Sequence, residues 1–376
     1  MPDVFEGVLG QPQVRAFLRA ACAGGRVSHA YLFTGPAGSN KTSAAKAFAK
    51  ALVCGQGGCN ACEACRAVDR GTHPDVHMIA PEGARGYVVS QVRDIVSDVP
   101  LAPIKAPRKV YVLDRADLMG VEAANAFLKT LEEPEANVTF VLLARTREAV
   151  LPTVVSRCQV VPFRHIPPDE AAGIVLQNTG VTHEQARIAI EACGGSITGA
   201  IGFAKSNERL EFRRRVLEVL AALPDSDERD VLEFAVELLE LSKAPLDNVV
   251  TAKAEELNES RDFLSNAAQR QIEERNKRAL SAATAASLAQ ATAIVRSWLR
   301  DVLVTASGAP QLVVNVDARQ DIERAALAAS PSGLMLALGE ADKTDEAIGY
   351  NVSPETCFDT LLFTIRKVVH GSSSPR

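Results

Sequence analysis

A lysine and a threonine set directly behind a glycine-rich turn can hold phosphates, and the chain carries such a pair in Gly35-Pro-Ala-Gly38-Ser-Asn40-Lys41-Thr42. In a loop of this kind backbone N–H groups and a helix N-terminus cradle the anion, the lysine neutralises its terminal charge and the hydroxyl holds Mg²⁺. The second glycine of the pattern is Asn40 here, which adds a side chain where backbone and phosphate approach closely. Asparagine tolerates a positive φ better than most residues, so the substitution weakens ATP/Mg²⁺ binding rather than excluding it. Further on, Lys109-Val-Tyr-Val-Leu113-Asp114 ends an apolar run in an acid suited to ordering Mg²⁺ through water. The residue after it is Arg115, where a hydrolytic ATPase needs a carboxylate to polarise the attacking water, and a permanently charged guanidinium cannot take that proton. Beyond this damaged centre Ser156-Arg157-Cys158 supplies an arginine that fits delivery to a neighbour's nucleotide, the plain alternative being a surface or structural ion pair. Cys158 reads as a small packing residue, since nothing near it suggests a catalytic thiol.

The cysteines form a second centre. Four of the chain's eight fall in Cys54-x₄-Cys59-x₂-Cys62-x₂-Cys65, among small and polar residues. Four thiolates so spaced suit a tetrahedral, structural Zn²⁺ with no open position for catalysis. A disulfide pair is the competing reading; it is disfavoured because no secretory signal or transmembrane run stands out, and the expected setting is the cytoplasm, where thiols stay reduced. His73 and His77 follow closely and read as ordinary loop and strand-edge residues.

These residues need elements to hold them. Tyr31-Leu-Phe-Thr reads as a strand feeding the glycine-rich turn, and the Ala-rich stretch to about Val53 as the helix behind it. Ala124-Asn-Ala-Phe-Leu128-Lys-Thr-Leu131-Glu-Glu-Pro134 reads as a helix stopped by its proline. Apolar strands alternating with helices over residues 1–165 predict a parallel α/β sheet. Residues 166–206 show short helical patterns with starts at Asp169-Glu170, Thr182-His183-Glu184 and Ser196, and residues 207–376 are helical and strand-poor. Within the last part Gln269–Arg278 predicts a solvated charged face, Ile294–Leu303 and Cys357–Phe363 predict packed amphipathic helices, and the tail from His370 reads as disordered.

With 41 Lys and Arg against 46 Asp and Glu, net charge is −5 and the pI about 5.8, so no chain-wide basic footprint favours independent DNA binding. Lys105, Arg108 and Lys109 form one short basic cluster, readable equally as strand-edge surface or as a phosphate contact. An aromatic content of 5% argues against a base-stacking platform.

Taken together, Gly10-Gln11, the loop at Gly35–Thr42, the helix ending Leu131-Glu132-Glu133-Pro134 and Ser156-Arg157-Cys158 resemble bacterial clamp-loader subunits of the AAA+ class, across roughly the first 200 residues. The resemblance implies an AAA+ nucleotide-binding-like core (1–165, zinc module at 54–65), a helical lid (166–206) and an all-α collar for oligomerisation (207–376). In that family the gamma/tau motors keep an intact loop, an Asp-Glu pair and a second sensor arginine, whereas delta-prime subunits have lost hydrolysis and keep the arginine finger. Asn40, Arg115 and Thr198, the last in Gly194-Gly195-Ser196-Ile-Thr198, stand at those positions. The chain therefore looks like the delta-prime kind, with a gamma/tau-like motor as the alternative. The resemblance further implies a hetero-pentameric ring with gamma/tau and delta subunits of the DNA-directed DNA polymerase III holoenzyme, a sliding clamp and primed DNA, no membrane, Arg157 acting in trans, and a degenerate nucleotide site at Gly35, Gly38, Lys41, Thr42 and Asp114. Family members carry a zinc module at the same place, with a longer first spacing than Cys54-x₄-Cys59.

Overall fold

The structure is a computed structural model that describes residues 3–25, 27–82, 86–243, 266–349 and 352–370. Expectations for 250–265 and for the tail 371–376 lie outside the described residues, as do the side chains of the charged face expected at Gln269–Arg278. The chain divides into two compact units, Met1–Ile174 with Gly195–Thr198, and Val175–Gly194 with Gly199–Arg376.

In the first unit strands β1 (Ala30–Thr34), β2 (Val76–Ile79), β3 (Lys109–Leu113), β4 (Val138–Ala144) and β5 (Gln159–Pro162) form one parallel sheet in the order β2-β3-β4-β1-β5. Every residue of β1, β3 and β4 is buried, as a parallel sheet covered on both faces requires. Side chains alternate between the two faces. Tyr31, Phe33, Val110, Val112, Val141 and Leu143 pack with helices α1 (Pro12–Ala23) and α2 (Lys41–Val53). Leu32, Tyr111, Leu113, Phe140 and Leu142 pack on the opposite face with α4 (Val89–Asp98) and α5 (Val121–Glu132), to which Phe127 contributes an edge-on contact with Phe140 at 5.0 Å. A short α3 (Glu63–Arg70) follows the cysteine-rich turn, and α6 (Pro152–Val155) precedes β5.

The segment leading into β3 is tied down by Asp75, whose buried carboxylate accepts backbone N–H bonds from Ile104, Lys105 and Ala106 at 2.6, 2.8 and 2.8 Å. Burial alone would raise its pKa, but the three N–H donors outweigh it and hold the carboxyl below its ordinary value. A carboxyl lowered in the folded state stabilises above its unfolded pKa of about 3.9 and loses that contribution as pH falls through the folded value. Asp75→Ala is expected to cost about 3 kcal/mol near neutrality, because three buried donors lose their acceptor. The deficit should shrink as pH falls through the folded pKa, a comparison that urea melts of both proteins at neutral and acid pH make directly; a constant deficit down to the acid limb would contradict it.

The expected basic cluster is only partly a surface: Lys105 is exposed and Arg108 half-buried, but the third member is not available. Lys109 is buried on β3 and its Nζ donates to the Asp98 backbone and carboxylate oxygens, while Arg108 donates to Thr139 Oγ1. His77 lies on the edge strand β2 and stacks on Tyr111.

In the second unit the described residues are helical, without strands. The helix His183–Ala192 opens on a Thr182/Gln185 capping box, at the start that Thr182 predicts. A 41-residue helix, Asn266–Ala306, packs against Pro331–Gly349 and Arg319–Ala328. Its Ile294, Trp298, Leu299 and Val302 are buried, and so are Phe358, Leu361 and Leu362 of Pro354–Val369; both amphipathic segments read from the sequence are therefore core helices. Asp301, fully buried, fixes the following turn by accepting from Val314 N, Asn315 N and Asn315 Nδ2 at 3.0, 2.7 and 2.8 Å.

Candidate nucleotide site and thiolate cluster

The loop between β1 and α2 gathers the phosphate-binding candidates at the C-terminal edge of the sheet. It lines a cavity of about 270 Å³ with Gly38, Asn40, Lys41, Thr42, Asp114, Arg115, Asp117, Arg145, Ser196 and Thr198 among its walls. Gly38 has φ +75°, and a Cβ there would meet the Gly195 carbonyl oxygen at 2.4 Å, so this position requires glycine. Asn40 takes the left-handed conformation, φ 65° and ψ 24°, that the missing glycine would have supplied. Its side chain, at the cavity wall, is held back by the chain before α1. Nδ2 donates to Leu9 O at 2.8 Å, and the residue is buried. Gln11 works beside it: its Nε2 donates to Ser39 O and Arg164 O, and its Oε1 accepts from Arg164 N. Gly10-Gln11 is thereby the strut that joins the loop to the chain leaving β5.

Asn40 makes no side-chain cap on α2, so the helix's first N–H groups point at the cavity without one. Lys41 Nζ folds onto the loop, donating to Gly35 O, Pro36 O and Ser39 Oγ at 2.6, 2.7 and 3.3 Å. Burial lowers its pKa, the carboxylates of Asp114 and Asp117 oppose that, and Arg145 adds to it. Asp114 closes β3, and Tyr87 donates to both Asp114 O and Ile79 O. Arg115 sits at φ 49° and ψ 50°, a left-handed conformation uncommon outside glycine, and opens the 3-10 turn Ala116–Leu118. That turn delivers Asp117 to the cavity wall, where its Oδ1 is buried without a hydrogen-bond partner. Asp117 and Arg145 are the site residues that motif reading passes over: neither occupies a motif position, and only the turn after β3 and the end of β4 bring them in.

Arg157 lies outside this cavity's lining, in the turn between α6 and β5. Its Nη1 donates to Thr153 O at 2.8 Å and Ser156 Oγ at 3.1 Å, and its Nη2 pairs with the Glu132 carboxylate; a third of the side chain is exposed. Cys158 next to it packs into the sheet's second face, and burial pushes its thiol up to about 12, as expected of an inert packing residue.

The four cysteines come together as the spacing predicts. Their sulfurs all lie within 4.8 Å of one another, with Cys54 Sγ 3.8 Å from Cys59 Sγ and 3.6 Å from Cys62 Sγ. A tetrahedral ion with metal–sulfur bonds of about 2.3 Å needs sulfurs about 3.8 Å apart. Backbone N–H groups of Gln56, Cys62 and Cys65 point at Cys54, Cys59 and Cys62 sulfurs. Against burial, such donors bring the Cys54 thiol down to about 6, while burial pushes Cys65 up to about 12. All described cysteines are free thiols, and this quartet can hold a metal ion.

The sheet order, the loop between β1 and α2 and the acid at the tip of β3 define the nucleotide-binding core of the AAA+ class. Residues 10–167 match the family described as "DNA polymerase III, delta subunit". DNA polymerase III subunit delta' of Bacillus subtilis is 31% identical over 216 residues, covering 57% of this chain and 65% of that protein. Subunit tau of the same organism is 34% identical over 271 residues, covering 65% of this chain and 47% of that protein. Subunit delta' of Pseudomonas aeruginosa is 42% identical over 142 residues, covering 36% and 43%. The matches thus span 43–65% of the length of these relatives. A solved gamma-subunit-related protein of Thermotoga maritima covers 95% of this chain and 99% of its own at TM-score 0.45 and 16% identity. Over these stretches the chain is similar to DNA polymerase III subunits of the delta' and tau kinds. Among the described residues no helix is long and apolar enough to cross a membrane.

Proposed function

We propose that this chain is a delta-prime-type subunit of a cytoplasmic clamp loader, which does not hydrolyse ATP itself and presents Arg157 to the nucleotide of a neighbouring gamma/tau-type motor. In this reading it joins motor and delta subunits in a hetero-pentameric ring that places a sliding clamp on primed DNA, with the core at 1–165, the lid at 166–206 and the collar at 207–376. The observation that carries it is the pairing of a disabled centre with a retained arginine. Arg115 lines the cavity where a base is needed, Thr198 stands in its wall without a sensor's charge, and Arg157 lies outside that cavity. The quartet Cys54, Cys59, Cys62 and Cys65 would hold a structural Zn²⁺, its sulfur spacing fitting a tetrahedral ion.

A motor-like reading has one specific support: Asp117 offers the cavity a carboxylate oxygen without a partner, two residues after the lost base. Steady-state ATP hydrolysis separates the two. No turnover by the purified chain, with turnover of the reassembled complex that depends on this chain and is stimulated by DNA, supports the delta-prime reading. Lys41→Ala should then change complex turnover by less than about twofold, because Lys41 serves no hydrolysis. Robust activity of the chain alone, abolished by Lys41→Ala and by Asp117→Asn, would identify a motor instead.

A further inference from the structure

We infer that Glu132 is the parking carboxylate of Arg157, a positioning residue that occupies the guanidinium until a neighbour's phosphate displaces it. The inference rests on the reading of Arg157 as a finger acting in trans. Three groups of the first unit hold the guanidinium: Thr153 O and Ser156 Oγ at Nη1, and the Glu132 carboxylate at Nη2. The two grips differ in kind. Those at Nη1 come from α6 and its cap, the same turn that carries Arg157, and travel with it. The one at Nη2 comes from the last residue of α5, distant in sequence. Glu132 is moreover an anion at a helix C-terminus, where the helix's partial negative charge disfavours it, so a cation beside it is favourable.

A phosphate engages a guanidinium in bidentate fashion either end-on, through Nη1 and Nη2, or side-on, through Nε and Nη2, and both modes use Nη2. Nη2 is the end Glu132 occupies, so carboxylate and phosphate compete for the same N–H groups. The contest is an uneven one, because the pair is a third to a half exposed and exposed pairs are weak, on the order of a two- to fivefold bias. A nucleotide phosphate, carrying more charge, wins. The carboxylate therefore sets how much of the neighbour's nucleotide affinity is spent on freeing the arginine, without touching the reacting atoms.

The test uses the assembled complex, with ATP hydrolysis measured against ATP concentration. Glu132→Gln keeps the shape and removes the charge. It is expected to lower the KM for ATP about two- to fivefold with kcat unchanged, and the difference from wild type should shrink as salt screens the pair. An unchanged or raised KM, or a fall in kcat, overturns the inference. Arg157→Ala in the same assay keeps the two ideas apart. If it slows turnover while Glu132→Gln changes nothing, only the parking role fails; if it leaves single-turnover hydrolysis normal at every site as well, the finger reading itself fails. The double variant should match Arg157→Ala, since a parking site without its arginine has nothing to hold.

Discussion

Arg157→Ala is expected to slow ATP turnover at the one site it serves by about 10³-fold or more, the usual contribution of a guanidinium set against a transferring phosphoryl group. The chain itself should remain folded and enter the ring. Its pair with Glu132 is partly exposed, and such pairs contribute about 0–1 kcal/mol. Single-turnover measurements on the complex, rather than steady-state rates that average over several motor sites, would expose the loss. Arg157→Lys should recover little, because an ammonium lacks the fork that engages two phosphate oxygens. Normal turnover with Arg157→Ala at every site would remove the finger assignment. A subunit that no longer enters the ring would be recognised by gel filtration before any rate is read.

The second large effect is expected at the thiolate quartet. The purified chain should carry one zinc per molecule by elemental analysis, and Cys65→Ser should lose it. Cys65 is the most deeply buried of the four, placed at the start of α3 in a segment with few other core residues, so an ion bound there would hold this segment to the end of α2. A structural zinc contributes folding energy outright. Losing even about 3 kcal/mol would lower the melting temperature by roughly 10 °C in a domain of this size. Chelation should release four reactive thiols and the same loss of stability. Zinc-free protein that melts at the wild-type temperature would reduce the quartet to a sulfur cluster without a structural ion.

Much of this arrangement was legible before any coordinates, for identifiable reasons. The strands of the first unit are continuous apolar runs, as Tyr31–Thr34 and Val110–Leu113 show, and a phosphate-type loop follows one of them at fixed spacing. Four cysteines within a dozen positions leave few other geometries. What the sequence did not disclose depends on contacts between distant segments. Asn40 could be read only as a bulky replacement for glycine, because its partner, Leu9 O, lies 31 positions away. Gln11 belonged to a motif, but its span to Arg164 crosses 153 positions. Lys109 looked like a surface cation; its partner Asp98 sits at the end of a helix whose placement depends on the whole sheet. Asp117 was hidden for another reason: the left-handed turn at Arg115 that aims it inward is rare for that residue type.

The latches on the loop have a further consequence. Asn40 on Leu9 and Gln11 on Ser39 and Arg164 fix the loop's shape from within the protein. A loop that must be ordered by its ligand can report that ligand's arrival, since the two states differ in contacts that reach beyond the site. Here the backbone is set in advance, so an anion entering the cavity would find little left to rearrange. Occupied or empty, the subunit would look nearly the same to its neighbours, and the timing of any ring containing it would be left to the other subunits.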